Sequence, residues 1–238
     1  MIIVVLVLAL IFGFNDKQPI FNINHWLLNL LRLGLLSAIA LFIHELAHKL
    51  IAKQHGCKTE SEIWGITQIG FKRTAKISGF LKSLPVGIIL PLLVMLFSKG
   101  QFYFAGVKQT TISTNPESRI GKKYTRLMNF EIAKIAASGP IASILFALLI
   151  KSLNIPALND LVLISVVLAV SNILPLPKLD GSECLFGSKT LFIFTFFFVI
   201  ISSTLIFALS SIATLVVSIL LAILFLAIIS YFYIFTKS

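Results

Sequence analysis

Two histidines and a glutamate in His44-Glu45-Leu46-Ala47-His48 carry the strongest chemical signal in the chain. Histidines at i and i+4 stack on one face of a helix, about one turn apart, and can offer both imidazoles to a single metal ion. A glutamate directly after the first histidine lies beside that ion, where it can take a proton from an activated water. The flanking runs, LLNLLRLGLLSAIALFI before and KLIAKQHG after, place this helix in an apolar setting. Ionisable groups at membrane depth are costly and mark function.

A hydrolytic zinc ion takes three protein ligands and keeps one position open. The soluble pattern that puts a third histidine six residues on fails here, because position 54 is Gln54 and the companion glycine position is Ile51. His55, Glu60 and Glu62 follow closely but read as surface residues in a polar stretch. Asp180, in Asn172-Ile173-Leu174-Pro175-Leu176-Pro177-Lys178-Leu179-Asp180-Gly181, is the better candidate. The two prolines must break a helix, and a helix broken at depth lines a site where its freed backbone groups can be satisfied. On residue types alone, Glu60 and Glu62 stay open as alternatives to Asp180.

The elements that must hold these residues follow from composition. Of 238 residues, 58% are hydrophobic, and the mean hydropathy is +1.00, which describes a polytopic membrane protein with one domain over 1–238. The net charge of +11 comes without a basic stripe interleaved with aromatics, so no nucleic-acid partner is expected. Basic residues gathered on the cytosolic face explain the excess. The two cysteines, Cys57 and Cys184, are too few for a secreted disulfide framework. Residues 1–14 lack a basic start and a small-residue cleavage site, and read as a retained first span.

Apolar segments fall at about 1–14, 27–54, 84–97, 131–153, 157–177, 190–209 and 212–235, the last two forming a helical hairpin over 190–236. The segment 84–97 is short and carries two prolines and a glycine, which suits a re-entrant piece better than a span. Runs rich in β-branched and aromatic residues, 63–71 and 102–112, predict a small sheet or hairpin beside the HExxH helix. The expected fold is therefore an all-α polytopic membrane protein with about six transmembrane helices, a re-entrant segment and a small membrane-associated β element.

Taken together, HELAH and NILPLPKLDG resemble the two hallmarks of the site-2 protease family of intramembrane zinc metalloproteases, HExxH on one span and NxxPxPxLDG on a later one. The resemblance covers about 27–188 and looks most like small archaeal members with six spans. It implies that His44, His48 and Asp180 hold one Zn2+, that Glu45 is the catalytic base, and that Asn172 holds an unwound substrate backbone. The family often carries Gly-Pro-x-x-Asn on the intervening span. Here Gly139-Pro140-Ile141-Ala142-Ser143 ends in Ser143, a weaker candidate for substrate binding. The connector at 154–156 leaves no room for a PDZ domain, and with the last span ending near Ser238 no CBS domain is expected. The implied partners are a transmembrane protein substrate and the bilayer. The substrate helix must unwind before attack, and an exposed strand edge could pair with it. Two alternatives are a non-catalytic metal-binding membrane scaffold and a membrane zinc protease acting on aqueous loops. Glu45 argues against the first and Asp180 against the second.

Crossing number gives a topology. HELAH and Asp180 both lie at the ends of their spans, so one ion joins them only if both spans run the same way. The segment 84–97 must then enter and leave on one side. That leaves Lys17, Arg32 and Lys151 opposite the other 17 of the 20 Lys and Arg, so the site mouth and the carboxy terminus are expected in the cytosol and the protein in the cell membrane.

Overall fold

Each apolar run becomes a helix, and the polar residues at its ends explain where it stops. The computed structural model describes residues 1–16, 18, 21–65, 85–114 and 127–235. Helix α1 covers Ile2–Gly13 and α2 covers Ile23–Gln54. The Asn22 side chain accepts from the backbone N–H groups of Asn24 and His25, the orphan donors of α2's first turn. At the other end Gly56, at φ 68°, turns the chain into strand β1, Cys57–Ile63.

Helix α3, Val86–Phe97, is followed by strand β2, Lys108–Thr114. Then come α4 (Asn129–Ser152), α5 (Asn159–Ile173), α6 (Asp180–Gly187), α7 (Lys189–Leu205) and α8 (Ser211–Phe235). Among the described residues four helices are long and apolar enough to cross a membrane: Ile23–Gln54, Asn129–Ser152, Pro156–Ile173 and Ser211–Phe232. Helices α1 and α7 are shorter, with 12 and 17 residues.

Side-chain contacts fix the relative directions. His44 meets Ser143 while His48 meets Ile135, so α4 runs antiparallel to α2. Arg32, early in α2, binds Asp160 at the start of α5 at 2.7 Å, whereas His44 and His48 reach Asp180 beyond the end of α5. Helices α2 and α5 are therefore parallel, as a shared ion requires. Helices α7 and α8 form an antiparallel pair, with Phe197 stacked on Phe225 at 4.4 Å. The core between α1, α2, α4 and α5 is filled by Leu8, Leu41, Ile144, Ile164 and Leu168.

The sheet has two antiparallel strands, with Cys57 opposite Thr114 and Ile63 opposite Lys108. The described strands overlap the expected runs only in part. The first lies earlier than 63–71, and of that run residues 66–71 fall outside the described residues. The second begins at Lys108, because 103–107 packs inward instead, while Phe102 is exposed. Tyr103 stacks on Phe12 at 5.2 Å, and the Ala105 N–H donates to the Ser171 hydroxyl at 2.8 Å.

Twelve residues of α3 give about 18 Å, well short of a bilayer core of about 30 Å. The helix starts beside Trp64, whose carbonyl accepts from the Gly87 N–H, and ends at Lys99-Gly100, packed against Phe14 and Asn15. That tip lies by the start of α2, where the Trp26 indole donates to the Phe14 carbonyl. Lys99 thus sits at the end of the bundle away from the site, rather than among the site-side cations.

Candidate metal centre

One face of α2 presents His44 and His48, both fully buried, toward the middle of α4 and the start of α6. His44 Nε2 and His48 Nε2 lie 3.2 Å apart, and each lies within 3.2 Å of Asp180 Oδ2. A tetrahedral ion with bonds of about 2.0–2.1 Å would set its ligand atoms about 3.3 Å apart, close to this triangle.

Proton bookkeeping leaves a positive charge, an ion or a proton, to be placed among these three atoms. The Ile135 carbonyl accepts from His48 Nδ1 at 2.7 Å, so that nitrogen carries the proton and His48 Nε2 presents a lone pair. That lone pair faces a carboxylate oxygen, an arrangement that repels unless a positive ion or proton sits between. The Ser143 hydroxyl stands 2.9 Å from His44 Nδ1 and orients the other ring.

Room for the ion comes from Gly139. A Cβ built there would lie 2.2 Å from His48 Nε2 and 2.6 Å from His44 Nε2, so a side chain would fill the ligand cradle. Pro140 follows, withdrawing one N–H from the α4 ladder in the turn that supplies the Ile135 carbonyl.

Asp180 is placed by the broken end of α5. The chain reverses over Leu174–Leu179, with Lys178 at φ 68°. The Trp64 indole donates to the Pro177 carbonyl at 2.8 Å, and Lys178 Nζ donates to the Gly65 carbonyl at 2.9 Å. Gly181 lets α6 close against α5, since a Cβ there would stand 2.0 Å from the Ile173 carbonyl oxygen.

Glu45 is buried beside the triangle. Its Oε1 accepts from the Lys108 ammonium at the head of β2, and its Oε2 has no hydrogen-bond partner among the described residues. A buried acceptor left unpaired is costly, and the Ser61 hydroxyl of β1 also bears on this carboxylate.

His44, Glu45, His48 and Asp180 thus come together as the spacing suggested. Glu60 and Glu62 point away on the exposed face of β1, Glu62 accepting from Gln109, and His55 pairs with Glu131 at 3.5 Å. Asn172 is buried at the end of α5, where its amide donates to the Leu168 carbonyl. Ser143 touches His44, one of the three residues that could hold an ion. Sequence reasoning missed Lys108, because a lysine in a β-prone run carries no motif. It also missed Gly139 as the cradle, although Gly-Pro inside an apolar helix was a visible sign of an irregular backbone.

Beside the centre lies a cavity of about 850 Å³, lined by Gln109 to Ile112 of β2 and by Pro175, Pro177, Ser182 and Glu183. Among the described residues strand β2 pairs only with β1, which leaves its other edge without a strand partner there. Burial pushes the Glu183 carboxyl up to about 7, with the Asp180 charge adding to it.

No family model, curated protein or solved structure matches this chain.

Proposed function

We propose that the chain is an intramembrane zinc metalloprotease that hydrolyses peptide bonds in or near transmembrane helices of other membrane proteins. One observation carries the reading: three buried ligands converge in ion-sized geometry, two of them flanking a buried glutamate on a helix apolar enough to cross a bilayer. His, His and carboxylate donors at this spacing suit zinc. A zinc ion held by His44, His48 and Asp180 would supply water activation and polarisation of a peptide carbonyl.

The chain's own residues supply the remaining steps. Glu45 takes the proton of the attacking water through Oε2 and delivers it to the leaving amine. Ser143 and the Ile135 carbonyl keep both imidazoles oriented. The open edge of β2 offers backbone hydrogen bonds to a substrate segment that has unwound, and Asn172, close to the α5 break, serves the same segment.

Six spans (α1, α2, α4, α5, α7 and α8) with a re-entrant α3 are consistent with the helix directions. Ile63 pairs with Lys108, so the chain between them leaves and returns at one place. The positive-inside rule puts the site mouth and carboxy terminus in the cytosol of a multi-pass cell-membrane protein.

The test is cleavage of a single-span substrate by purified protein in vesicles, with the cut located by mass spectrometry. Loss on chelation, recovery with zinc and a cut in or next to the apolar segment are expected. A cut confined to aqueous loops would favour a protease of loops. A protein that binds zinc and never cleaves would be a scaffold.

A further inference from the structure

A lysine reaches the base from the strand that borders the cavity. Lys108 is 3% exposed, and no other lysine or arginine among the described residues is buried. It is the first residue of β2, opposite Ile63, and its ammonium meets Glu45 Oε1 and stands 3.4 Å from the Thr110 hydroxyl. Taking a cation out of water is costly, and an apolar side chain would fill the same space without that cost. The buried Glu45 carboxylate needs a charge partner, and this one also ties the carboxylate to the strand that borders the cavity.

We infer that Lys108 is a positioning residue for Glu45: it clamps Oε1 so that Oε2 alone faces the reacting water, and it ties the base to strand β2. This rests on the protease reading. A glutamate on a helix can swing through several rotamers. One charge-assisted hydrogen bond removes that freedom and leaves a single oxygen for proton transfer. Because Lys108 heads β2, a substrate segment paired along the open edge of that strand also steadies the base. Binding at the strand and orientation of the carboxylate then become one event.

The test compares full-length parent, Lys108→Met, Lys108→Arg and Glu45→Gln proteins, reading zinc content together with kcat and KM on one single-span substrate. Lys108→Met should keep its zinc and a KM within about twofold, while kcat falls about 10- to 100-fold, the scale of a misplaced catalytic group. Lys108→Arg should recover part of that loss. A kcat within twofold of the parent, or a fall in zinc content that accounts for the lost rate, overturns the inference.

If Lys108→Met does not fold, Lys108→Gln is read against the same limits. Thermal midpoints add a measurement independent of activity. The drop caused by the Lys108 change should be smaller in a Glu45→Gln background than in the parent, and equal drops would overturn the pairing. If Glu45→Gln cleaves like the parent, the protease reading itself has failed. If Glu45→Gln is inactive and Lys108→Met is fully active, only the role of Lys108 falls.

Discussion

Ser143 and Gly139 show how much of the centre is made by residues that never touch an ion. Ser143 faces the outer nitrogen of His44 at 2.9 Å, so Ser143→Ala should weaken zinc binding about 10- to 100-fold while leaving the fold intact. Chelator competition would measure it, and unchanged affinity would mean the hydroxyl does not orient the ring. Gly139→Ala places a methyl group where the two Nε2 atoms converge, and elemental analysis should find most of the zinc gone. Full zinc content in that variant would move the ion elsewhere. At this scale the sequence made the meeting of His44, His48 and Asp180 legible, because metal ligation restricts both residue type and spacing. It was poorly legible for Lys108 and Ser143, whose roles come from contacts 63 and 99 residues away along the chain.

The elements hold the ligands through two interruptions, Gly139-Pro140 within α4 and the turn between α5 and α6. Gly181→Ala would drive a methyl group into the Ile173 carbonyl and should cost about 1–3 kcal/mol, the range for overpacking, while displacing Asp180. A lower thermal midpoint with reduced zinc content is expected, and a parent-like midpoint would show that the turn can adapt. Helices were readable because apolar length dictates them. The strands were shifted because aromatic, β-branched composition marks burial as well as pairing. Tyr103 to Val107 packs inward, where Ser171 takes the Ala105 N–H and Phe12 the Tyr103 ring. Cys57–Ile63 alternates inward Thr59, Ser61 and Ile63 with outward Lys58, Glu60 and Glu62, the signature of a strand covered on one face. That period of two was present in the sequence and outweighed by the aromatic signal beyond it.

For the whole molecule the issue is direction through the bilayer. Native Cys57 and Cys184 are buried, and burial pushes the Cys184 thiol up to about 12, so neither reports sidedness well. Single cysteines at the exposed positions Glu60 and Ser152, in a background without the native thiols, are better reporters. The account expects position 60 to react only from the cytosolic face and position 152 only from the outer face. Labelling of both from one side would break the topology. Position 99 cannot discriminate, since the tip of α3 approaches the far end of the bundle whether or not the chain returns.

The central claim, that one ion and one base act together on a peptide bond, is tested most directly by pairing Glu45→Gln with Asp180→Ala. Zinc content and cleavage of a single-span substrate would be measured on the same preparations. Glu45→Gln should hold about one zinc per chain, like the parent, and cleave nothing measurable, because the ligands remain and the base is gone. Asp180→Ala should lose both zinc and cleavage, since three ligands share the ion. Cleavage by Glu45→Gln at the parent rate, or full zinc content in Asp180→Ala, would contradict the account.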